Sequence, residues 1–340
     1  GRRPPNERAI IKTTQNIARR FDKRNGGFGR APKFPRPVTL RLLLRYGRRA
    51  QDDSALYIVG ETLDAMRRGG IWDHVGGGFH RYSVDARWRV PHFEKMLYDN
   101  AQLALTYLEA WRASEPVSHL KDSGEDGTHR WREVTVDILD YLIKEMRHPS
   151  GALYAATDAD SLSPEGEGVE GYFFTWTLDE LKRLLTPEEA KLLSRRYNVG
   201  RGALEGRDVL YTNQPLAQTA RALKLTMKEA VETLDRARSK LYRARAQRPA
   251  PTLDAQVVTG WSALALSAFA QTGWALDRSD YIDVAKEIAR ALTETMRDPS
   301  GRLWRVNDLQ GPRGEGMLID YAATVSGLLD LYEATADPQW

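Results

Sequence analysis

No cysteine occurs among the 340 residues, which excludes disulfides, a thiol nucleophile and Cys-ligated zinc within this chain and leaves the redox compartment open. Long apolar runs are missing too: no stretch approaches the ~18 uninterrupted apolar residues of a membrane span. The opening Gly1-Arg2-Arg3-Pro4-Pro5 leads into a charged helix pattern without the apolar core of a signal peptide. No membrane partner is therefore expected, and the cytoplasm is the favoured compartment. A strong charge of one sign is also absent, because 50 basic residues face 46 acidic ones. Nucleic acid is not implied, and the basic run at Arg2, Arg3, Arg8, Lys12, Arg19, Arg20, Lys23 and Arg24 reads as a solvated helix face. With 41% apolar and 28% charged residues, the chain has the balance of a globular protein with a sizeable core.

Helical periodicity dominates what is there. Trp131, Val134, Ile138, Leu142 and Met146 step by three and four, as do Ile282, Ala285, Ala289, Leu292 and Met296, so each segment carries one apolar stripe. The segment through Val257, Val258, Trp261, Leu264, Ala265, Ala268 and Phe269 has few charges after Asp254 and predicts a helix buried on more than one side. Further helices are expected over 6–21, 37–50, 53–68, 96–113, 177–197 and 226–246. Short strands are expected at Ala152 to Ala156, Tyr172 to Trp176 and Val209 to Thr212, forming a small antiparallel sheet. Residues 113–128 lack periodicity, are rich in turn formers, and read as a flexible surface loop.

Two internal echoes organise these elements. Met146-Arg147-His148-Pro149-Ser150-Gly151-Ala152-Leu153-Tyr154 recurs as Met296-Arg297-Asp298-Pro299-Ser300-Gly301-Arg302-Leu303-Trp304, each time closing an amphipathic helix with a Pro-Ser-Gly stop. Met96-Leu97-Tyr98-Asp99-Asn100-Ala101 likewise resembles Met317-Leu318-Ile319-Asp320-Tyr321-Ala322, each opening a helix with an acid in its first turn. Repeated helical hairpins predict an all-α toroid of helix pairs, a single domain over 1–340, in preference to a doubly wound sheet.

Chemistry-bearing residues concentrate between Gly69 and Asn100, which holds three of the six histidines. Histidine suits proton transfer at neutral pH, so His80 and His92 are the first acid/base candidates, with Glu94 and Asp99 as carboxyl partners. Trp72, Trp88, Tyr98, Trp176 and Trp261 offer flat surfaces for a sugar-like ring. Asp73, His74, Arg81, Lys95 and Asn100 are candidate polar contacts, and Arg81 and Lys95 suit a carboxylate or phosphate. The alternative is that the histidines donate to backbone carbonyls and pin a glycine-rich loop, that the tryptophans pack in the core, and that Asp99 and Asp320 complement helix macrodipoles. A glycosidase would need two carboxyl groups ~5–10 Å apart, for which Glu94, Asp99, Asp158, Asp160 and Asp320 are available. Asp158-Ala159-Asp160-Ser161, followed by Glu165, Glu167 and Glu170, lacks the EF-hand progression, so Asp158 and Asp160 are expected on a cavity rim and no metal or cofactor is assigned.

Taken with Gly26-Gly27-Phe28-Gly29, Ala31-Pro32-Lys33-Phe34-Pro35, Tyr172-Phe173-Phe174-Thr175-Trp176 and Thr259-Gly260-Trp261, the run from Gly70 to Ala101 resembles the spermatogenesis-associated protein 20 family of thioredoxin-domain-containing proteins. The resemblance implies an N-terminal thioredoxin-like domain followed by an (α/α)6 toroid similar to N-acylglucosamine 2-epimerases and six-hairpin glycosidases. This chain starts beyond the expected thioredoxin-like domain, carries no Cys-x-x-Cys, and has too few helices to complete twelve, so a fragment truncated at both ends with an incomplete ring is expected. Two functions follow as expectations. One is a cavity protein isomerising or epimerising a sugar-like small molecule by acid/base chemistry. The other is a non-catalytic ligand- or protein-binding module serving the thioredoxin-like domain of the full-length protein.

Overall fold

The computed structural model describes residues 6–114, 130–204 and 206–340. Arg2, Arg3 and nearly all of the expected 113–128 loop lie outside the described residues; Ala113 and Ser114 end a helix. Twelve α-helices are described: α1 (Glu7–Ala18), α2 (Pro37–Ala50), α3 (Asp53–Arg68), α4 (Leu97–Ser114), α5 (Arg130–Glu145), α6 (Leu178–Leu184), α7 (Pro187–Arg196), α8 (Leu216–Leu223), α9 (Met227–Arg245), α10 (Thr259–Ala275), α11 (Ser279–Arg290) and α12 (Leu318–Thr335). A single π-helical turn, Ala291–Thr295, continues α11.

The helices pack in two layers. Helices α2, α4, α10 and α12 lie side by side in that order, while α3, α5 and α11 back them and each also touches the next inner helix. This alternation of inner and outer helices is that of an (α/α) toroid; the described arc holds three hairpins and one further inner helix. Crowding from both sides explains the composition of α10: Ala263, Ala265, Leu266, Ala268, Phe269 and Ala270 are fully buried, and small residues let neighbouring helices approach closely. Burying Leu266 or Phe269 contributes ~1.5–3 kcal/mol each over leaving it exposed.

The sequence echoes are structural repeats. After α5, Tyr154 N–H donates to Met146 O at 2.8 Å and His148 N–H to Ala152 O at 3.0 Å; after α11, Trp304 N–H donates to Met296 O and Asp298 N–H to Arg302 O, both at 2.8 Å. Gly151 and Gly301 turn the chain at φ +92° and +91°, where a side chain is disfavoured. Each repeat ends in a strand aligned beside the start of an inner helix. Ala156–Thr157 pairs with Lys95–Met96, which runs into α4, and Trp304–Asp308 pairs with Val257–Val258, which runs into α10.

Helices α6 to α9 form a lobe inserted between α5 and α10, with small cores around Trp176, Leu193 and Leu241 and around Leu192, Leu216 and Ala230. The single helix expected over 177–197 is two helices. Leu185 ends the first, Thr186 caps the second in a capping box with Glu189, and Pro187 takes its first position. The expected sheet is also redistributed: Ala156 pairs with Met96 and Asp254, whereas Trp176 and Thr212 make only isolated bridges to Asp208 and Tyr197. Thr175 folds back on Gly171 O at 2.9 Å, which turns the 172–176 segment out of extended geometry.

Candidate functional site

Alternation along residues 92–95 separates two chemical environments. His92 and Glu94 point to a half-buried polar face, while Phe93 and Lys95 are 2% and 1% exposed on the other side. On the polar face, Arg81 Nη1 donates to Glu94 Oε2 at 2.7 Å. His92 Nε2 lies 3.5 Å from the same carboxylate oxygen, and its Nδ1 lies 2.7 Å from Glu170 Oε1. A carboxylate can only accept, so Glu170 fixes the Nδ1 proton of His92. Tyr82 holds the imidazole from one side, the rings stacking at 5.0 Å.

The same face continues onto the first turns of the inner helices. Tyr98, in the first turn of α4, packs against Trp261, in the first turn of α10, with ring centroids 4.8 Å apart. Gly260 N–H donates to Asp320 Oδ1 at 2.8 Å, joining α10 to the first turn of α12, and Arg305 reaches the same oxygen at 2.5 Å. Asp99 is 8% exposed. Burial pushes its pKa from the ordinary 3.8 up to about 7, and Glu94 adds to the rise, against the opposing effects of Arg81 and a hydrogen bond from Tyr98. Burial and the Asp99 charge also raise the Tyr98 phenol. The arrangement therefore supplies a carboxyl group titrating near neutrality, a histidine held between two carboxylates, an arginine, and aromatic surfaces on one wall.

Several candidates point instead into the protein. Asp73 accepts from Arg245 Nη1 with both oxygens, at 2.9 and 2.8 Å, and from Lys95 Nζ at 2.8 Å. Burial alone would raise its pKa, but the Arg245 and Lys95 charges hold it well below the carboxylate range. Burial lowers the Lys95 pKa, and Nζ sits over the Tyr141 and Phe174 rings. The His80 ring packs edge-on to Phe93 and Phe174, with Nδ1 2.8 Å from Phe93 O. Burial, followed by the Lys95 charge, drops its pKa to about 3, so it is neutral and enclosed where the sequence reading made it half of an acid/base pair.

His74 is likewise buried, with Nε2 2.9 Å from Gly69 O and its pKa lowered to about 3 by burial. Asn100 ties Phe79 N–H and O to Met96 O, closing the loop onto α4. Trp72 and Trp88 were expected on a ligand wall. Trp72 packs on Phe79 and lines a different cavity, between the helical ring and the inserted lobe, while Trp88, fully buried, donates to Asn25 O at 3.0 Å. A Cβ on Gly27 would lie 2.5 Å from the Trp88 ring, which accounts for glycine there. Asp158 and Asp160 are exposed; Asp158 caps Ala159 N–H at 2.6 Å, and Asp160 pairs in register with Glu170. Among the described residues no group of three or more metal-ligating side chains is arranged to hold a metal ion.

The structure thus gathers His92, Glu94, Arg81, Tyr98, Asp99 and Trp261, and separates them from His80, His74, Asp73, Lys95, Trp72, Trp88 and Asn100, which brace the loop beneath. Arg305 and the Glu170 partnership of His92 were not read from the sequence. Arg305 directly follows the second copy of the nine-residue repeat, and that position was the available signal.

No protein-family model matches the chain. Its relatives include spermatogenesis-associated protein 20 of Homo sapiens, 39% identical over 96% of this chain and 44% of that protein, and the Mus musculus protein, 37% identical with the same coverage. Solved structures similar to it include cellobiose 2-epimerase from Bacillus thermoamylovorans B4167 (TM-score 0.37, 13% identity, 96% of this chain and 97% of that one). The GH76 α-mannanase BT2949 of Bacteroides thetaiotaomicron is another (TM-score 0.36, 11% identity, 96% and 79%). Among the described residues no helix is long and apolar enough to cross a membrane. The chain spans about 44% of the length of the curated relatives it matches, and over that stretch it is similar to spermatogenesis-associated protein 20 along nearly its whole length.

Proposed function

We propose that the polar face formed by Arg81, His92, Glu94, Tyr98, Asp99 and Trp261 binds a sugar-like molecule and performs acid/base chemistry on it, of the isomerase or epimerase type. One observation carries the reading: Asp99, buried in the first turn of an inner helix, has its pKa raised to about 7 beside an aromatic wall. A group with a pKa near the working pH serves as both base and acid. Asp99 takes or returns the proton on carbon, and His92, its Nδ1 proton committed to Glu170, offers Nε2 as the second proton-transfer atom. Arg81 faces negative charge developing on the substrate oxygen, and Trp261 with Tyr98 supports the ring face. This replaces His80 with Asp99, because a neutral imidazole sealed between Phe93 and Phe174 has no access to substrate. A thioredoxin-like partner domain in the full-length protein, which the family resemblance implies, belongs to the same proposal.

The test is calorimetric titration with a panel of reducing sugars, paired with NMR detection of interconverted epimers or ketoses. Trp261→Ala is expected to weaken binding by about tenfold, the loss of one stacking surface. Asp99→Asn is expected to keep binding and abolish turnover. Sugar turnover that survives Asp99→Asn would overturn the assignment.

A further inference from the structure

A cavity ≈ 290 Å³ in volume lies between the helical ring and the inserted lobe. Arginines approach it from four helices, Arg67 from α3, Arg130 from α5, Arg196 from α7 and Arg238 from α9, and three carboxylates share the wall, Glu133 and Asp137 of α5 and Asp235 of α9. Arg238 is engaged by Asp137 at 3.3 Å, and Arg196 Nη1 donates to Gln214 O at 2.8 Å. Arg67 Nε and Nη2 and Arg196 Nε, all buried, have no hydrogen-bond partner among the described residues, and Arg196 is only 8% exposed. Asp64, the carboxylate whose charge acts on Arg67, accepts instead from the Trp131 indole N–H at 3.1 Å.

These guanidinium groups also burden one another. Burial lowers the Arg67 pKa against the opposing charge of Asp64, and the charges of Arg130 and Arg196 lower it further. His74, on the same cavity wall, is pressed toward its neutral form by burial and then by Arg196, Arg238 and Arg67. A buried guanidinium N–H without an acceptor is costly, and a water molecule supplies lone pairs but leaves in place the positive excess of a wall with four arginines and three carboxylates. An oxyanion supplies lone pairs and offsets that excess, and the planar fork of arginine matches carboxylate and phosphate oxygens. The volume is close to the ~300 Å³ lower end of small-molecule sites.

We infer that this cavity binds the oxyanion group of a small phosphorylated or carboxylated molecule, with Arg67 and Arg196 donating to its oxygens. The site is separate from the Asp99 face, shares none of its residues, and stands whether or not that face acts on sugars.

The experiment follows thermal unfolding of the 340-residue chain in inorganic phosphate and, in a parallel arm, in succinate, each against sodium chloride of equal ionic strength. Ligand that binds only the folded state raises Tm with saturation. The expected result is a saturable rise in at least one arm, whose half-saturating concentration increases by about tenfold or more in Arg67→Met and Arg196→Met. Arg67→Lys keeps the charge and bulk but not the fork, so it guards against misfolding of the methionine variants and is expected to weaken the response as well. A response to phosphate alone or succinate alone supports the site and identifies the group it takes. No rise beyond chloride in either arm, or a rise unchanged in Arg67→Lys and Arg196→Met, overturns the inference.

Discussion

Replacing Asp99 with asparagine tests the electrostatic core of the site without assuming any substrate. In the unfolded chain this carboxyl group ionises near 3.8, whereas in the folded protein burial holds it protonated up to about 7. The folded state therefore carries the extra proton between those values, and stability falls as pH rises through that window, then levels off. The change from 3.8 to about 7 corresponds to ~4 kcal/mol at most, an order-of-magnitude figure for a group only 8% exposed. Asparagine has nearly the same shape and no charge to desolvate. Urea unfolding of both proteins from pH 4 to pH 8 isolates the contribution, since the other carboxyl groups cancel in the difference. Asp99→Asn is expected to match the parent near pH 4 and to exceed it by a few kcal/mol at pH 8. Parallel stability curves, or an asparagine variant less stable at pH 8, would refute the argument.

Asp73→Asn leaves Lys95 and Arg245 buried without their shared counter-charge and is expected to cost ~3–5 kcal/mol in urea unfolding; a cost below ~1 kcal/mol would mean water reaches the pair. Gly78→Ala places a Cβ 2.6 Å from the Tyr141 ring at φ +78°, while Gly29→Ala, at the same φ, meets nothing within 4 Å. Gly29→Ala is therefore expected to lose ~1–2 kcal/mol from backbone strain alone. Gly78→Ala adds ~1–3 kcal/mol of overpacking, and equal losses in thermal unfolding would contradict the packing described around Tyr141.

Local patterning revealed the helices because each stripe is set by neighbours three and four residues away. Helix α8, with eight residues, is too short to show such a stripe, and the Thr186-Pro187 start signal was masked by apolar residues on both sides. The strands were misplaced because Lys95–Met96, Ala156–Thr157 and Leu253–Asp254 are two residues each and exist through pairing across distant sequence. At the site, the concentration of polar residues in 69–100 was legible, and Asp99 could be named as a candidate from its place in the first turn of α4. Which histidine faces outward was not. The answer for His80 depends on Phe174, and for His92 on Glu170, both contributed by the segment that follows α5.

Proton transfer on a sugar at the Asp99 face, as proposed, has a direct test. The direct measurement is incubation of the chain with reducing sugars in deuterium oxide, following loss of the carbon-bound proton next to the carbonyl by NMR. Exchange that depends on the protein is expected in the parent and in His80→Gln, and none above background in Asp99→Asn. Exchange that persists in Asp99→Asn but disappears in His80→Gln would contradict the proposal.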